Sequence, residues 1–216
     1  MNEKKILIAV PCMDQLPARF AQSLATLTKV GQCAVAFQIS SLIYHARNDL
    51  AKKAVEMDVD YMLWLDSDMV FEPDTLERLM KHMDQPGVDM VTGVYFRRVP
   101  PFSPVLFEKL DFKNGILKNV SEFSELPKDG LFEVGGCGFG CVLMNMDVIY
   151  DVLGKHGNAF APIGDNGEDV AFCYRARDCG YKIFCDPSIK LGHVGNYVIT
   201  RDYWESYKGT EQGDKT

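Results

Sequence analysis

The sequence predicts an α/β fold, with a mostly parallel central sheet, helices on both faces and a small antiparallel element in the second half. Three observations carry this reading. The first half alternates short uncharged runs with helix-period segments, the pattern of parallel strands joined by right-handed crossovers. After residue 97, prolines and an Asn-Gly pair between apolar residues break that rhythm and signal a hairpin. With 216 residues, 47% of them hydrophobic, the chain can bury a sizeable single core.

The elements follow in order. Residues 5–10 read as a first buried strand, closed by Pro11. A helix is expected over 16–30 and a second strand over 34–39. Over 42–57, Leu42, Ala46, Leu50 and Ala54 share one face, broadened by Ile43 and Ala51, and predict a helix. Residues 61–65 (Tyr-Met-Leu-Trp-Leu) carry no charge, as befits a strand buried on both faces. Pro73 sits at a first helical turn, a helix follows over 75–83, and a strand over 89–96. In the second half, Asn114-Gly115 between Phe112 and Leu117 predicts the hairpin turn. A glycine-rich run, 133–140, leads into the apolar 141–144. Helices are expected over 147–153 and 170–179, the latter ending at Gly180, with one more strand over 181–185. The chain reads as one domain over 1–208, with a seam near residue 97 between a first half (1–97) and a second half (98–208). Residues 209–216 read as a flexible polar tail.

Composition excludes several classes. The net charge of −7, without a basic stripe, argues against non-specific nucleic-acid binding. No apolar run reaches the ~18–20 residues of a membrane span, and 6–10 is too short for a secretory h-region. Seven cysteines, an odd number, fit reduced thiols in a cytoplasmic protein. Cys173, Cys179 and Cys185 lack the paired C-x2-C spacing of a zinc site, and Asn119-Val120-Ser121 is a chance glycosylation match.

Five features can carry chemistry. Asp66 and Asp68 end the buried strand 61–65, so both carboxylates can meet one object beyond its carboxyl end. Two such charges repel unless a cation lies between them, and Mg2+ or Mn2+ with substrate phosphates fits; the alternative is a capping Asp66 and a solvated Asp68. Gly167-Glu168-Asp169 opens a helix, where acids either complement the dipole or supply a base. His193, between Gly192 and Gly195, is a structural imidazole or a metal ligand. Arg47 is a surface charge, an ion-pair partner of Asp49, or a phosphate or base contact. Gly135-Gly136-Cys137-Gly138-Phe139-Gly140 matches neither a dinucleotide fingerprint nor a P-loop, and implies either tight packing or close approach to a ligand.

In this order, the five features resemble the GT-A glycosyltransferases, family 2 in particular, over roughly residues 6–198. Ala46-Arg47-Asn48 before Leu63-Trp64-Leu65-Asp66-Ser67-Asp68 is similar to the family's "ARN … fLDxD" run. The stretch from Gly167-Glu168-Asp169 to Arg175 is similar to its "GED" segment, and Gly180-Tyr181-Lys182-Ile183 and Leu191-Gly192-His193-Val194 continue it. The resemblance implies a GT-A fold and a metal-dependent hexosyl transfer from a nucleotide diphosphate sugar to a hydroxyl acceptor. A UDP-sugar is the first-choice donor; a glycan, lipid-linked sugar, protein or modified nucleic acid could be the acceptor. It further implies Asp68 and His193, with Asp66, as ligands of Mn2+ or Mg2+. Pro11, Arg47, Asp66, Ser67, Gly136, Gly138 and Arg201 become nucleotide-sugar contacts. Asp169 becomes the base of an inverting displacement, positioned by Glu168, and the resemblance makes 1–97 the nucleotide-binding half and 98–208 the acceptor and base half.

The resemblance has departures. Val10-Pro11-Cys12-Met13-Asp14 stands where many members carry Pro-x-Tyr/Phe-Asn, and the Gln-x-x-Arg-Trp of processive synthases is absent. The acidic loop and His193 also resemble those of retaining enzymes that glycosylate polypeptides, so stereochemistry stays open. A nucleotidyltransferase would carry a glycine-rich loop after its first strand, and 10–19 has no glycine. A non-catalytic binding domain of the same fold is the third reading. Arg201, Tyr203, Trp204 and Tyr207 form either a lid or acceptor platform or an amphipathic segment packed on the core.

Overall fold

The computed structural model describes residues 3–113, 116–195 and 198–211. Strand β1 (Lys5–Cys12) is buried along almost its whole length and pairs in parallel with β2 (Gln32–Ile39), with α1 (Ala18–Thr26) between them in sequence. Pro11 does not close β1. Gln32 N donates to Lys4 O and Ser40 N to Cys12 O, so the even-numbered residues of β1 face β2 and Pro11 faces β3 (Tyr61–Leu65). The β1–β3 pairing ends at Ala9↔Trp64, so the missing N–H costs no ladder bond. Helix α1 is shorter than expected, starting after Pro17 and stopping where Leu27 turns extended.

Between β2 and β3 runs α2 (Ile43–Glu56), which buries the predicted face Ala46, Leu50, Ala51 and Ala54, and Arg47 with it. After β3 comes a short strand that the sequence did not announce, β4 (Met69–Phe71), then α3 (Thr75–Met83) and β5 (Met90–Val94). The hairpin is formed by β6 (Leu106–Lys113) and β7 (Ile116–Glu122); its predicted turn, Asn114-Gly115, lies outside the described residues. The glycine-rich run supplies β8 (Phe132–Val134) and β9 (Gly136–Cys137) and leads into β10 (Cys141–Asn145). Helix α4 (Met146–His156) is capped by Asn145 Oδ1, which accepts from Val148 N at 3.3 Å, and ends at Gly157 with φ 71°. Helix α5 (Glu168–Asp178) begins two residues earlier than predicted, which puts both acids in its first turn. The last elements are β11 (Ile183–Val194), β12 (Val198–Ile199) and α6 (Arg201–Glu211). Strand β11 is far longer than the predicted 181–185 because it continues past a register shift between Asp186 and Lys190.

The large sheet has the order β12-β11-β5-β10-β3-β1-β2, with β4 and β8 also pairing with β11, and β7-β6-β9 form a separate antiparallel sheet. Pairs β1–β2, β1–β3 and β5–β11 are parallel, while β10 runs antiparallel between β3 and β5. Helices cover both faces. One core layer gathers residues of α2, α4, α5 and α6, and the other gathers Phe20 and Leu27 with Leu76, Leu79 and Met80 of α3. Between the lid and packing readings of the last segment, the structure shows packing. Trp204 is 9% exposed and stacks on Phe96, and Tyr203 and Tyr207 meet Phe102 edge-on. Helix α6 continues to Glu211, into the stretch expected as a tail, and 212–216 lie outside the described residues. No helix among the described residues is long and apolar enough to cross a membrane, and all seven cysteines are free thiols.

Candidate active site

The site is assembled where β1 and β3 end and the chain order reverses, the usual place for ligands in an open α/β sheet. At the end of β3, Asp66 N donates to Gly140 O at 3.1 Å and Met69 N donates to Asp66 O. This turn sends the chain into β4. Strand β4 pairs with β11 in a register that sets Met69 opposite His193, and Val194 N donates to Asp68 O at 2.7 Å. The short strand the sequence did not announce is therefore what joins the Asp-x-Asp turn to His193.

Arg47 is neither a surface charge nor a partner of Asp49. Its side chain is 3% exposed, with Nη2 at 2.7 Å from Asp66 Oδ1 and Nε at 3.2 Å from Glu168 Oε1. Its guanidinium lies 5.7 Å from the Trp64 ring and 5.2 Å from the Phe139 ring, and Nη1 is buried without a hydrogen-bond partner. Asp49 faces Lys52 instead. Arg47 thus clamps the end of β3 to the start of α5. Burial disfavours its charge, but Asp66, Glu168 and Asp169 outweigh that and raise its pKa. Burial pushes Asp66 up to about 6 despite Arg47. Asp169 is raised too, by burial and by the adjacent Glu168, while its Oδ1 accepts from Val170 N at 2.7 Å.

Asp68 behaves in the opposite way. Burial alone would raise its pKa, but His193 and Arg98 hold it below the ordinary carboxylate value. His193 Nε2 is 3.3 Å and Arg98 Nη1 3.0 Å from Asp68 Oδ2. His193 Nδ1 lies 2.9 Å from Phe96 O, and a carbonyl only accepts, so Nδ1 carries the proton. A divalent cation standing in place of a proton on Nε2 would meet that nitrogen and the Asp68 carboxylate together, an N,O donor pair that suits such an ion.

The family follows from the sequence that builds this site. The profile of glycosyl transferase family 2 matches residues 42–153, more than half of the chain, from the start of α2 into α4. The chain belongs to glycosyl transferase family 2. The match includes Arg47, Asp66, Asp68 and the glycine run, and ends before Glu168, Asp169 and His193. Among solved structures, A197 from STIV superposes with a TM-score of 0.62 at 19% identity, covering 91% of this chain and 93% of that one. GalNAc-T7, solved with UDP, GalNAc and Mn2+, gives a TM-score of 0.59 at 11% identity, covering 90% of this chain and 43% of that one. These similarities establish the GT-A architecture. A comparison with curated protein sequences finds no match.

Measured against the family-based expectations, the structure sorts the candidate residues. It brings together Arg47, Asp66 and Glu168 in one cluster and Asp68 with His193 in another, joined through the Asp66-Ser67-Asp68 turn. Asp66 was expected beside Asp68 as a metal ligand, but its Oδ1 is turned to Arg47; among the described residues no three His, Cys, Asp or Glu side chains gather as an ion site. Arg47, expected at the nucleobase, is committed to carboxylates. Pro11 is buried near the end of β1. Gly136 and Gly138, expected against the sugar, are buried as well: a Cβ at Gly136 would lie 2.4 Å from Leu110, and one at Gly138 2.1 Å from the Tyr95 hydroxyl. Packing, rather than room for a ligand, accounts for these two glycines. Arg201 is not brought to the site. It pairs with Glu205 at 2.8 Å and lines a separate cavity of about 540 Å³ with Val70, Gly192 and Val198.

Sequence reasoning missed Arg98 and Tyr95. Both follow the carboxyl end of β5, and that position was their only signal. The buried Tyr95 hydroxyl accepts from Gly140 N at 3.3 Å, and its ring meets His193 edge-on at 5.4 Å.

Proposed function

We propose that this family 2 chain transfers a sugar from a nucleoside diphosphate donor, UDP-sugar first, to a hydroxyl acceptor with inversion. The observation that carries the proposal is the Asp68–His193 pair beside the Arg47-clamped carboxylates at the carboxyl ends of the parallel strands. A structural neighbour solved with UDP and Mn2+ supports the choice of donor and ion.

Asp68 and His193 would hold Mn2+ or Mg2+, with the donor's phosphate oxygens completing the shell. The cation, when bound, supplies Lewis acidity that stabilises charge on the leaving diphosphate. The Phe96 carbonyl fixes the imidazole in the tautomer that presents Nε2 to the ion. Asp66, through the oxygen not held by Arg47, and Ser67 would contact the donor's ribose. Arg47 keeps Asp66 and Glu168 at fixed separation and so sets the start of α5, where Asp169 sits. Asp169, partly exposed and more basic than an ordinary carboxylate, takes the acceptor hydroxyl proton. The acceptor oxygen then bonds to the anomeric carbon as the bond to the diphosphate breaks, releasing nucleoside diphosphate.

Calorimetric titration with UDP, with and without Mn2+, tests the reading. Binding that requires Mn2+ is the expected result. Absence of binding with uridine, guanosine and cytidine diphosphates alike, in the presence of Mn2+, overturns it.

A further inference from the structure

Strand β2 is the edge of the large sheet and pairs only with β1 among the described residues. Natural edges of this length are usually blunted by charge, proline or a bulge. Here eight consecutive residues, Gln-Cys-Ala-Val-Ala-Phe-Gln-Ile, carry neither charge nor proline, and the β1–β2 register has no break.

The hydrogen bonds show which groups face outward. Gln32 N bonds to Lys4 O at one end of the strand and Ser40 N to Cys12 O at the other, so even-numbered residues point their main-chain groups at β1. Cys33, Val35, Phe37 and Ile39 therefore present N–H and C=O to the open edge. The same residues share one face of the sheet. Ala36, on the other face, is buried in the core layer with Leu50, Ala51 and Ala54 of α2. On the outward residues' face, Phe20 and Leu27 cover Ile6, Ile8 and Val10, but the cover stops short of β2. Val35, Phe37 and Ile39 remain 38%, 44% and 64% exposed. One strip thus carries unpaired main-chain donors, unpaired acceptors and exposed apolar side chains.

We propose that this edge is a homodimer interface, in which β2 of one copy adds antiparallel to β2 of a second and the sheet runs on across a two-fold axis. The strip is self-complementary. With the axis at Ala36, Val35 faces the partner's Phe37 and Cys33 the partner's Ile39, each pair exchanging both main-chain bonds. An aromatic residue opposite a β-branched one is a favourable cross-strand pair. Charge points to the same place: copies with net charge −7 repel one another, and this strand is free of charge. The strand edge and its three side chains would bury on the order of 500 Å² per copy, the low end of specific interfaces, so the dimer forms at micromolar concentration. The proposal stands independently of the proposed transferase activity.

Analytical ultracentrifugation of the whole chain from about 1 to about 100 μM, spanning the range where such an interface forms, is the test. The expected result is a shift from 24.3 kDa toward twice that mass, strengthening as salt screens the repulsion. Phe37→Lys, with the circular dichroism of the wild type, is expected to weaken association at least tenfold. Amide exchange at Val35, Phe37 and Ile39 is expected to slow with concentration in the wild type only. A wild type that stays monomeric throughout, or a Phe37→Lys protein that dimerises like the wild type, overturns the proposal. So do edge amides whose exchange is independent of concentration, which would also identify dimerisation through some other surface.

Discussion

At the scale of single residues, two neighbouring aspartates in one turn are pulled in opposite directions. Asp66 shares a buried guanidinium and is raised to about 6, while Asp68 faces His193 and Arg98 and is lowered. Under the proposed function they have separate roles. Asp68→Ala is expected to abolish the Mn2+ dependence of UDP binding in a calorimeter. Asp169→Asn is expected to leave that binding intact and to cut transfer by roughly 10²–10⁴-fold in a single-turnover product assay, the usual contribution of a general base. Arg47 makes a stability prediction instead. Arg47→Met leaves the partly buried Asp66 and Glu168 without their common cation; breaking a fully buried pair costs about 3–5 kcal/mol, and with water reaching both carboxylates the expected loss is about 2–3 kcal/mol. Urea denaturation measures this, and adding Asp66→Asn should return part of the loss. Legibility at this scale was uneven. The acids and His193 stood out because their order along the chain is distinctive. Burial of Arg47 did not, since the residue lies one position from the apolar stripe of α2 and a periodicity argument leaves it at the surface. The glycine run was legible as a constraint but not as to cause: only the positions of Leu110 and Tyr95 show what fills the space beside Gly136 and Gly138.

At the scale of elements, β3 and α3 appear where their patterns put them, because an uncharged five-residue run and an amphipathic helix after Pro73 each have a local cause. Strand β4 has none. Its three residues are held by pairing with β11, a partner more than a hundred residues away. Strand β11 outran its predicted end for a similar reason, since its irregular segment, 186–190, is fixed by contacts with α3. His82 Nε2 lies 2.8 Å from Asp186 Oδ2, Asp186 Oδ1 accepts from both Ser188 N and Ser188 Oγ, and Arg78 donates to Ser188. Burial alone would raise the Asp186 carboxyl, but the Ser188 and His82 hydrogen bonds outweigh it and hold the group below its ordinary value. A carboxyl depressed in the fold binds fewer protons there than in the unfolded chain near its titration range. Its stabilisation is therefore present above the unfolded value of about 4 and lost as pH falls through the folded value. Asp186→Asn is expected to cost about 1.5–3 kcal/mol at pH 7, as for charged hydrogen bonds generally. The deficit against the wild type should shrink below about pH 4, which urea denaturation series at several pH values would read directly.

At the scale of the whole molecule, the decisive strand is β10. The run Cys141–Asn145 is buried on both faces, and such a run reads the same whichever way it points, so its antiparallel direction and its place in the sheet were not legible. The structure sets it between β3 and β5, paired with Leu65 through Tyr61 on one side and with Thr92 through Met90 on the other. A strand from beyond residue 97 therefore fills the middle of a sheet whose other central strands come from before it. Residues 1–97 alone would hold β1–β2–β3 and a detached β5, with two uncovered apolar edges and no contact linking them through the sheet. Helix α6 adds a second dependence, because Trp204 stacks on Phe96 at the end of the first half. The two halves are thus expected to fold as one unit. A fragment of residues 1–97 should show no cooperative melt and little chemical-shift dispersion. The full chain should unfold in a single urea transition, with far-UV circular dichroism coinciding with the fluorescence of Trp64 and Trp204, which lie on opposite sides of residue 97. An independently folded fragment, or two separated transitions, would mean that β10 docks onto a preformed sheet instead of completing it.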